Sequence, residues 1–150
     1  MKKKIIKYSI IGLAIIFVVI QFIPVKRYNP PITSEINTPP EVKNVLQRSC
    51  YDCHSNETDW HFYSYVAPVS WLVARDVNKG REELNFSEWN KYDNKKRNKK
   101  IKEIDKEVAE GEMPMKLYLI THPSADLTEN EKQIIKNWTD SLLMLSDKNI

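Results

Sequence analysis

Both cysteines of this chain fall in one pentapeptide, Cys50-Tyr51-Asp52-Cys53-His54, in which a histidine directly follows the second thiol. C-x-x-C-H is the attachment signature for c-type haem. In that chemistry the thiols of Cys50 and Cys53 add across the vinyl groups. The imidazole of His54 then lies under the iron as proximal ligand, one of the axial choices that tune haem. Its Nδ1–H is expected to donate to a backbone carbonyl and so fix the tautomer. A cysteine pair has other uses. A thioredoxin-like redox pair needs a βαβ setting, which is absent from the pattern. A structural zinc site wants four ligands at paired spacings, and His61 and His122 would complete Cys2His2 only at unusual ones. A plain disulfide in a haem-free protein is the remaining alternative.

An iron held by His54 has a sixth position, and four residues compete for it. Met113 leads, because it stands between Gly111-Glu112 and Pro114 in a loop between helices, 59 residues after His54. Met115 would replace it if the loop ran differently. His122 would give bis-histidine ligation, and His61, seven residues from His54, would need a tight turn. An open site is the last option. Met/His ligation raises the reduction potential, whereas an open site would admit a small gas or peroxide. A methionine here could also be a core gap-filler.

These groups need a holder. The chain has 150 residues, three glycines, and no alternating apolar–polar runs, so an all-α, cytochrome c-like domain around one haem is expected. The formal charge of +3 is deceptive, since residues 1–27 hold six basic side chains and no acid. The remainder is mildly acidic, and nucleic acid is not expected as a partner.

The organisation reads as 1–27 basic tip and anchor, 28–38 linker, and 39–150 haem-binding domain. Lys2, Lys3, Lys4 and Lys7 precede the uncharged run 8–25 (YSIIGLAIIFVVIQFIPV), at the lower limit for a bilayer span. No small-x-small cleavage site follows it, which suggests an uncleaved transmembrane signal anchor. The charge bias predicts an inner-membrane protein with its body in the periplasm. Pro30 and Pro31 make 28–38 extended.

Thr38-Pro39-Pro40-Glu41 predicts a helix start with Thr38 in a capping box, and Val42, Val45, Leu46 and Cys50 share its inner face. A second helix is expected from Ala67-Pro68 to Lys79, with Val69, Leu72, Val73 and Val77 inward and Gly80 as its stop. Ser87 is a plausible N-cap for a long polar helix running toward Glu110, with a break near Asp93-Asn94. Ile101, Ile104 and Val108 are its apolar stripe. Six basic residues in 95–102 suit a solvated face, or a contact for lipid headgroups or an acidic redox partner. Thr128-Glu129-Asn130-Glu131 is a second capping box, opening a helix over about 129–145 with Ile134, Ile135, Trp138, Leu142 and Leu145 inward. Close behind the motif, Trp60 and Tyr63 are expected against the haem. Trp71, Trp89 and Trp138 read mostly as core, and Arg75 and Arg81 could pair with propionates.

Taken in order, C-Y-D-C-H-S-N-E-T-D-W (50–60), A-P-V-S-W (67–71), L-N-F-S-E-W (84–89), G-E-M-P (111–114) and H-P-x-A-x-L-T (122–128) resemble the small bacterial haem-binding-domain proteins. Those are membrane-anchored, carry one C-x-x-C-H and are typical of Bacteroidetes. The resemblance spans about residues 25–140 and gives His61 no family role, since proline often stands there. More distantly the layout is similar to class I cytochromes c. That likeness implies Cys50 and Cys53 as thioether sites, His54 as proximal and Met113 as distal ligand, and Trp138 as the closing-helix aromatic. The resemblance names the cofactor more firmly than the role, and the leading expectation is a one-electron carrier with an unidentified redox partner rather than a catalyst. A haem-based small-ligand sensor, and less so a small peroxidase-like enzyme, are the rivals. No nucleophile–base–orienter constellation is legible.

Overall fold

The computed structural model describes residues 2–147, and among these there is no strand. Seven α-helices follow one another: α1 Lys2–Ile20, α2 Pro40–Ser49, α3 Tyr51–His54, α4 Val69–Glu83, α5 Asn94–Ala109, α6 Lys116–Thr121 and α7 Glu129–Asp147. Short 3-10 turns cover Phe62–Tyr65, Phe86–Lys91 and Pro123–Ala125. The all-α expectation holds.

The spanning helix does not. Helix α1 begins among the four lysines and stops at Ile20, so the run 8–25 leaves helix after thirteen uncharged residues. At 1.5 Å per residue that is about 20 Å, short of the roughly 30 Å hydrocarbon core. Among the described residues no helix is long and apolar enough to cross a membrane. The apolar side chains of α1 are exposed around its whole circumference, Ile10, Leu13 and Phe17 among them. Its end is tied to the body. Gln21 exchanges hydrogen bonds with the backbone of Ala67, and Arg27 donates to the Ser64 carbonyl at 3.1 Å.

Residues 28–38 are extended, as the prolines require, yet they are docked rather than free. The amides of Thr33 and Ser34 donate to the Ser87 carbonyl and that of Ile36 to Phe86, which buries Ile36. Helix α2 starts one residue later than expected, with Pro40 in its first turn and Pro39 at the cap position. Thr38 therefore caps nothing, and its buried hydroxyl has no partner. The expected inner face of Val42, Val45 and Leu46 is buried.

The core joins that face to Phe86 and Trp89, to the Ile101–Ile104–Val108 stripe of α5, and to Ile135 and Trp138 of α7. Helices α2 and α5 both pack against α7. Burial of a side chain such as Leu46 or Phe86 stabilises the fold by about 1.5–3 kcal/mol each. Leu145, expected inward, is exposed instead, lying near the end of α7 beyond the partly buried Leu142. Trp89 and Trp138 are core, while Trp71 is exposed.

Helix α4 departs most from expectation. It runs through Gly80 to Glu83, and Val69 and Leu72 face outward while Ser70, Ala74 and Val77 are buried. The stripe turned inward is small because α4 presses on α3. Helix α5 begins at Asn94 with the Asp93 carboxylate accepting from the Lys96 amide, so the expected break is present. Ser87 is buried inside the preceding turn, whose cap is Asn85. At α7 the reciprocal box forms as expected: the Glu131 carboxylate accepts from the Thr128 amide and hydroxyl, and the Glu131 amide donates back to the Thr128 hydroxyl.

Candidate functional site

Helix α2 ends at Cys50, whose amide still donates to Leu46 while its own carbonyl accepts from both Cys53 and His54. That single turn projects the two thiols and the imidazole from one short stretch. Both cysteines are free thiols, half-buried by their side chains' surroundings, and desolvation pushes each up to about 12. They are neutral sulfhydryls in this environment.

Helix α4 fixes the turn from beneath. Gly80 faces Cys53 so closely that a Cβ built on it would lie 2.9 Å from the Cys53 carbonyl carbon and 3.0 Å from its Cβ. That contact is why glycine stands in mid-helix here, a position where it otherwise weakens a helix. The approach brings the His54 Nδ1 to 2.9 Å from the Gly80 carbonyl and 3.1 Å from that of Leu84. Nδ1 therefore carries the proton, and Nε2 keeps its lone pair. Burial holds the His54 pKa below the ordinary histidine value, outweighing the two carbonyl contacts. A neutral imidazole with its outer nitrogen on a backbone carbonyl is the form that ligates metal.

The residues behind the turn are locked by buried polar groups. The Asn56 amide donates to the Ser87 hydroxyl, Asn85 Nδ2 donates to Asn56 Oδ1, and the Ser87 amide donates back to Asn85 Oδ1. Arg81 donates to the carbonyls of Ser55 and Tyr28 and to the side chains of Asn29 and Thr58. It is a clamp on the chain, not a free propionate partner, and Arg75 pairs with its neighbour Asp76 at the surface.

Two adjoining cavities open beside this turn. The larger, about 450 Å³, has an apolar floor of Leu46, Phe86, Ile104, Leu127 and Ile135. Cys50, His54 and Met113 border it, with Lys100 and Lys106 among the charged groups at its edge. The smaller, about 240 Å³, is bordered by both cysteines, His54, Met113 and Met115. The larger volume falls within the range of small-molecule and cofactor sites.

Met113 reaches both cavities because of how α5 ends. Gly111 adopts φ +71°, its amide donates to Val108, and the amides of Glu112 and Met113 both donate to Glu107. This is a Schellman end, which a glycine at positive φ makes without strain.

The structure separates the other sequence candidates from this site. Met115 borders only the smaller cavity. Trp60 and Tyr63 border neither cavity. Trp60 donates to Asn29 at 3.2 Å, and the Tyr63 hydroxyl lies 3.1 Å from His122 Nε2. His61 and His122 line neither cavity and lie beside each other with ring centres 4.8 Å apart and planes tilted by 44°. The physical reason is the turn at Thr58–Asp59. It is pinned to Asp52 by Thr58 Oγ1 on the Asp52 carbonyl and by the Asp59 amide on the Asp52 carboxylate, and it carries the following aromatics away. Sequence reasoning missed Gly80, the Leu84 carbonyl and the Asn56–Asn85–Ser87 triangle. The mid-helix glycine was the one local signal that could have pointed to a close approach.

The donors suit haem: two thiols, an imidazole with Nε2 unshared, a thioether, and an apolar cavity between them. No curated protein and no solved structure matches the chain. A family model for the haem-binding domain matches residues 15–141, most of the chain. The chain belongs to the haem-binding domain family, and haem is the ligand that membership of this family gives it.

Proposed function

We propose that this protein holds one haem c covalently through Cys50 and Cys53 and serves as a one-electron carrier. The observation that carries the reading is the shared border: Cys50, His54 and Met113 all line the same apolar cavity. His54 would ligate through Nε2 while Gly80 and Leu84 hold its Nδ1 proton. Met113 would supply a thioether from the Schellman end of α5. Bound haem supplies a reversible one-electron couple, which a methionine ligand places at higher potential. Lys100 and Lys106, at the edge of the larger cavity, would meet its carboxylates by exchanging their ion pairs with Glu103 and Glu110.

The reading extends to location. A helix apolar all round has no face suited to water, and α1 carries its lysines at one end only. We read α1 as a membrane attachment and place the body outside the cytoplasm, where c-type haem is joined to protein in bacteria. The partner would be a redox protein docking near the cavity edge, and not nucleic acid.

The test is an absorption spectrum of the full chain produced with a c-type maturation system, taken oxidised, reduced, and reduced under carbon monoxide. Haem that stays with the polypeptide on denaturation, together with indifference to carbon monoxide, is the expected result. Cys50→Ala with Cys53→Ala should abolish retention. Ready carbon monoxide binding by the native chain would favour a sensing role instead. No covalent haem would overturn the reading.

A further inference from the structure

Beside the smaller cavity, whose border includes Asp52 and Tyr118, three side chains that the haem reading leaves unused come together. One ligand atom each from Asp52, His61 and His122 lies within 4.8 Å of the other two. We propose that Asp52, His61 and His122 form a second, separate site for a divalent transition-metal ion of the zinc class.

The ligand chemistry selects that class. Two imidazoles and one carboxylate suit zinc and its neighbours, whereas magnesium and calcium want oxygen ligands throughout. Three protein ligands with a fourth position left to water or to the Tyr63 hydroxyl match the open form of zinc site. The outer partners are in place as well. His122 Nδ1 lies 3.2 Å from the Tyr118 carbonyl and 3.0 Å from the Thr121 hydroxyl. With its proton on that carbonyl, Nε2 keeps its lone pair, and the Tyr63 hydroxyl lies 3.1 Å away as its present partner. The Asp52 carboxylate accepts from the Tyr118 hydroxyl at 2.8 Å and from the Asp59 amide at 2.9 Å. His61 Nδ1 is 3.7 Å from the Asp59 carboxylate. Such carbonyl and hydroxyl partners orient ligands before the metal arrives.

Tetrahedral zinc with bonds near 2.0–2.1 Å needs its ligand atoms about 3.3 Å apart. The cluster must therefore contract by up to about 1.5 Å, and His61, part-exposed between the Asp59 turn and the 3-10 turn, is the residue free to move. The ion would tie the haem-attachment turn, through Asp52, to the segment that follows Met113, through His122. It would act as a staple between parts of the chain about 70 residues apart. This inference does not depend on the haem reading.

The experiment uses the full, haem-loaded chain, stripped with chelator and dialysed against Zn2+, with zinc and iron counted separately by elemental analysis. One zinc per chain is expected. His61→Ala and His122→Ala should each weaken binding at least tenfold, and Tyr118→Phe, which removes an outer partner, by about tenfold. Zn2+ should raise the thermal midpoint of the native chain and not that of His61→Ala, which leaves the haem spectrum unchanged. Absence of zinc uptake overturns the proposal. So does uptake that survives both His61→Ala and His122→Ala, since the ion would then sit elsewhere on the chain.

Discussion

The carbonyl of Gly80 accepts the Nδ1 proton of His54 across 2.9 Å, and the same glycine leaves no space between its backbone and Cys53. One residue of α4 thus sets both the height of the Cys50–His54 turn and the tautomer of its histidine. Adding a methyl there forces α4 away from backbone, not from a flexible side chain. Gly80→Ala is expected to lower stability by about 1–3 kcal/mol, although alanine is the better helix former. Denaturant unfolding of the variant checks the sign. Equal or greater stability would mean that the close approach is not a constraint.

Met113→Ala separates the distal candidates. It should leave haem attached, open the sixth position to carbon monoxide, lower the reduction potential, and cost about 2 kcal/mol, the low end of the range for a methionine truncation. Met115→Ala and His122→Ala should leave the ligand-band spectrum as it is, since His122 borders neither cavity and Met115 only the smaller. An unchanged spectrum in Met113→Ala would move the sixth ligand elsewhere.

What could be read from the chain was what depends on local rules. The 3.6-residue periodicity of Val42–Leu46, of Ile101–Val108 and of Ile135–Trp138 reports burial on one helical face, and those residues do meet in one core. The Thr128–Glu131 box and the Gly111 stop are likewise local. Gly80 gives the same local signal as Gly111, a glycine near the end of a helical pattern. Only the packing of α4 against α3 decides that it is a contact and not a stop. Thr38 failed because two prolines shift the helix start. Trp60 and Tyr63 failed because nearness in sequence to His54 is undone by a turn pinned to Asp52. The run 8–25 reads as one segment by charge alone, whereas its backbone leaves helix at Ile20.

Gly111 carries the approach to Met113. In the left-handed region a side chain costs about 1–2 kcal/mol, and no neighbouring atom would be struck by a Cβ at this position. Gly111→Ala should therefore act through the backbone only. Stability should fall by about 1–2 kcal/mol, and the loosened loop should increase carbon monoxide binding relative to the native chain. Loss of stability with no change in carbon monoxide binding would show that Met113 is positioned by packing and not by the Schellman end.

Glu131 gives a pH dependence with a definite sign. The Thr128 amide donates to its carboxylate, Arg48 lies 2.6 Å away, and together these hold its pKa below the ordinary carboxylate value, against some desolvation. A carboxylate whose folded pKa is depressed binds fewer protons in the folded state than in the unfolded one. Its contribution is present above the unfolded value of 4.5 and fades as pH falls through the lower, folded value. Glu131→Gln should cost about 1 kcal/mol near neutral pH, the usual size for a helix cap. The native chain and the variant should converge in stability once the pH has fallen below the depressed folded value, where both carry a neutral side chain. A gap that persists at low pH would assign the effect to packing of the side chain and not to its charge.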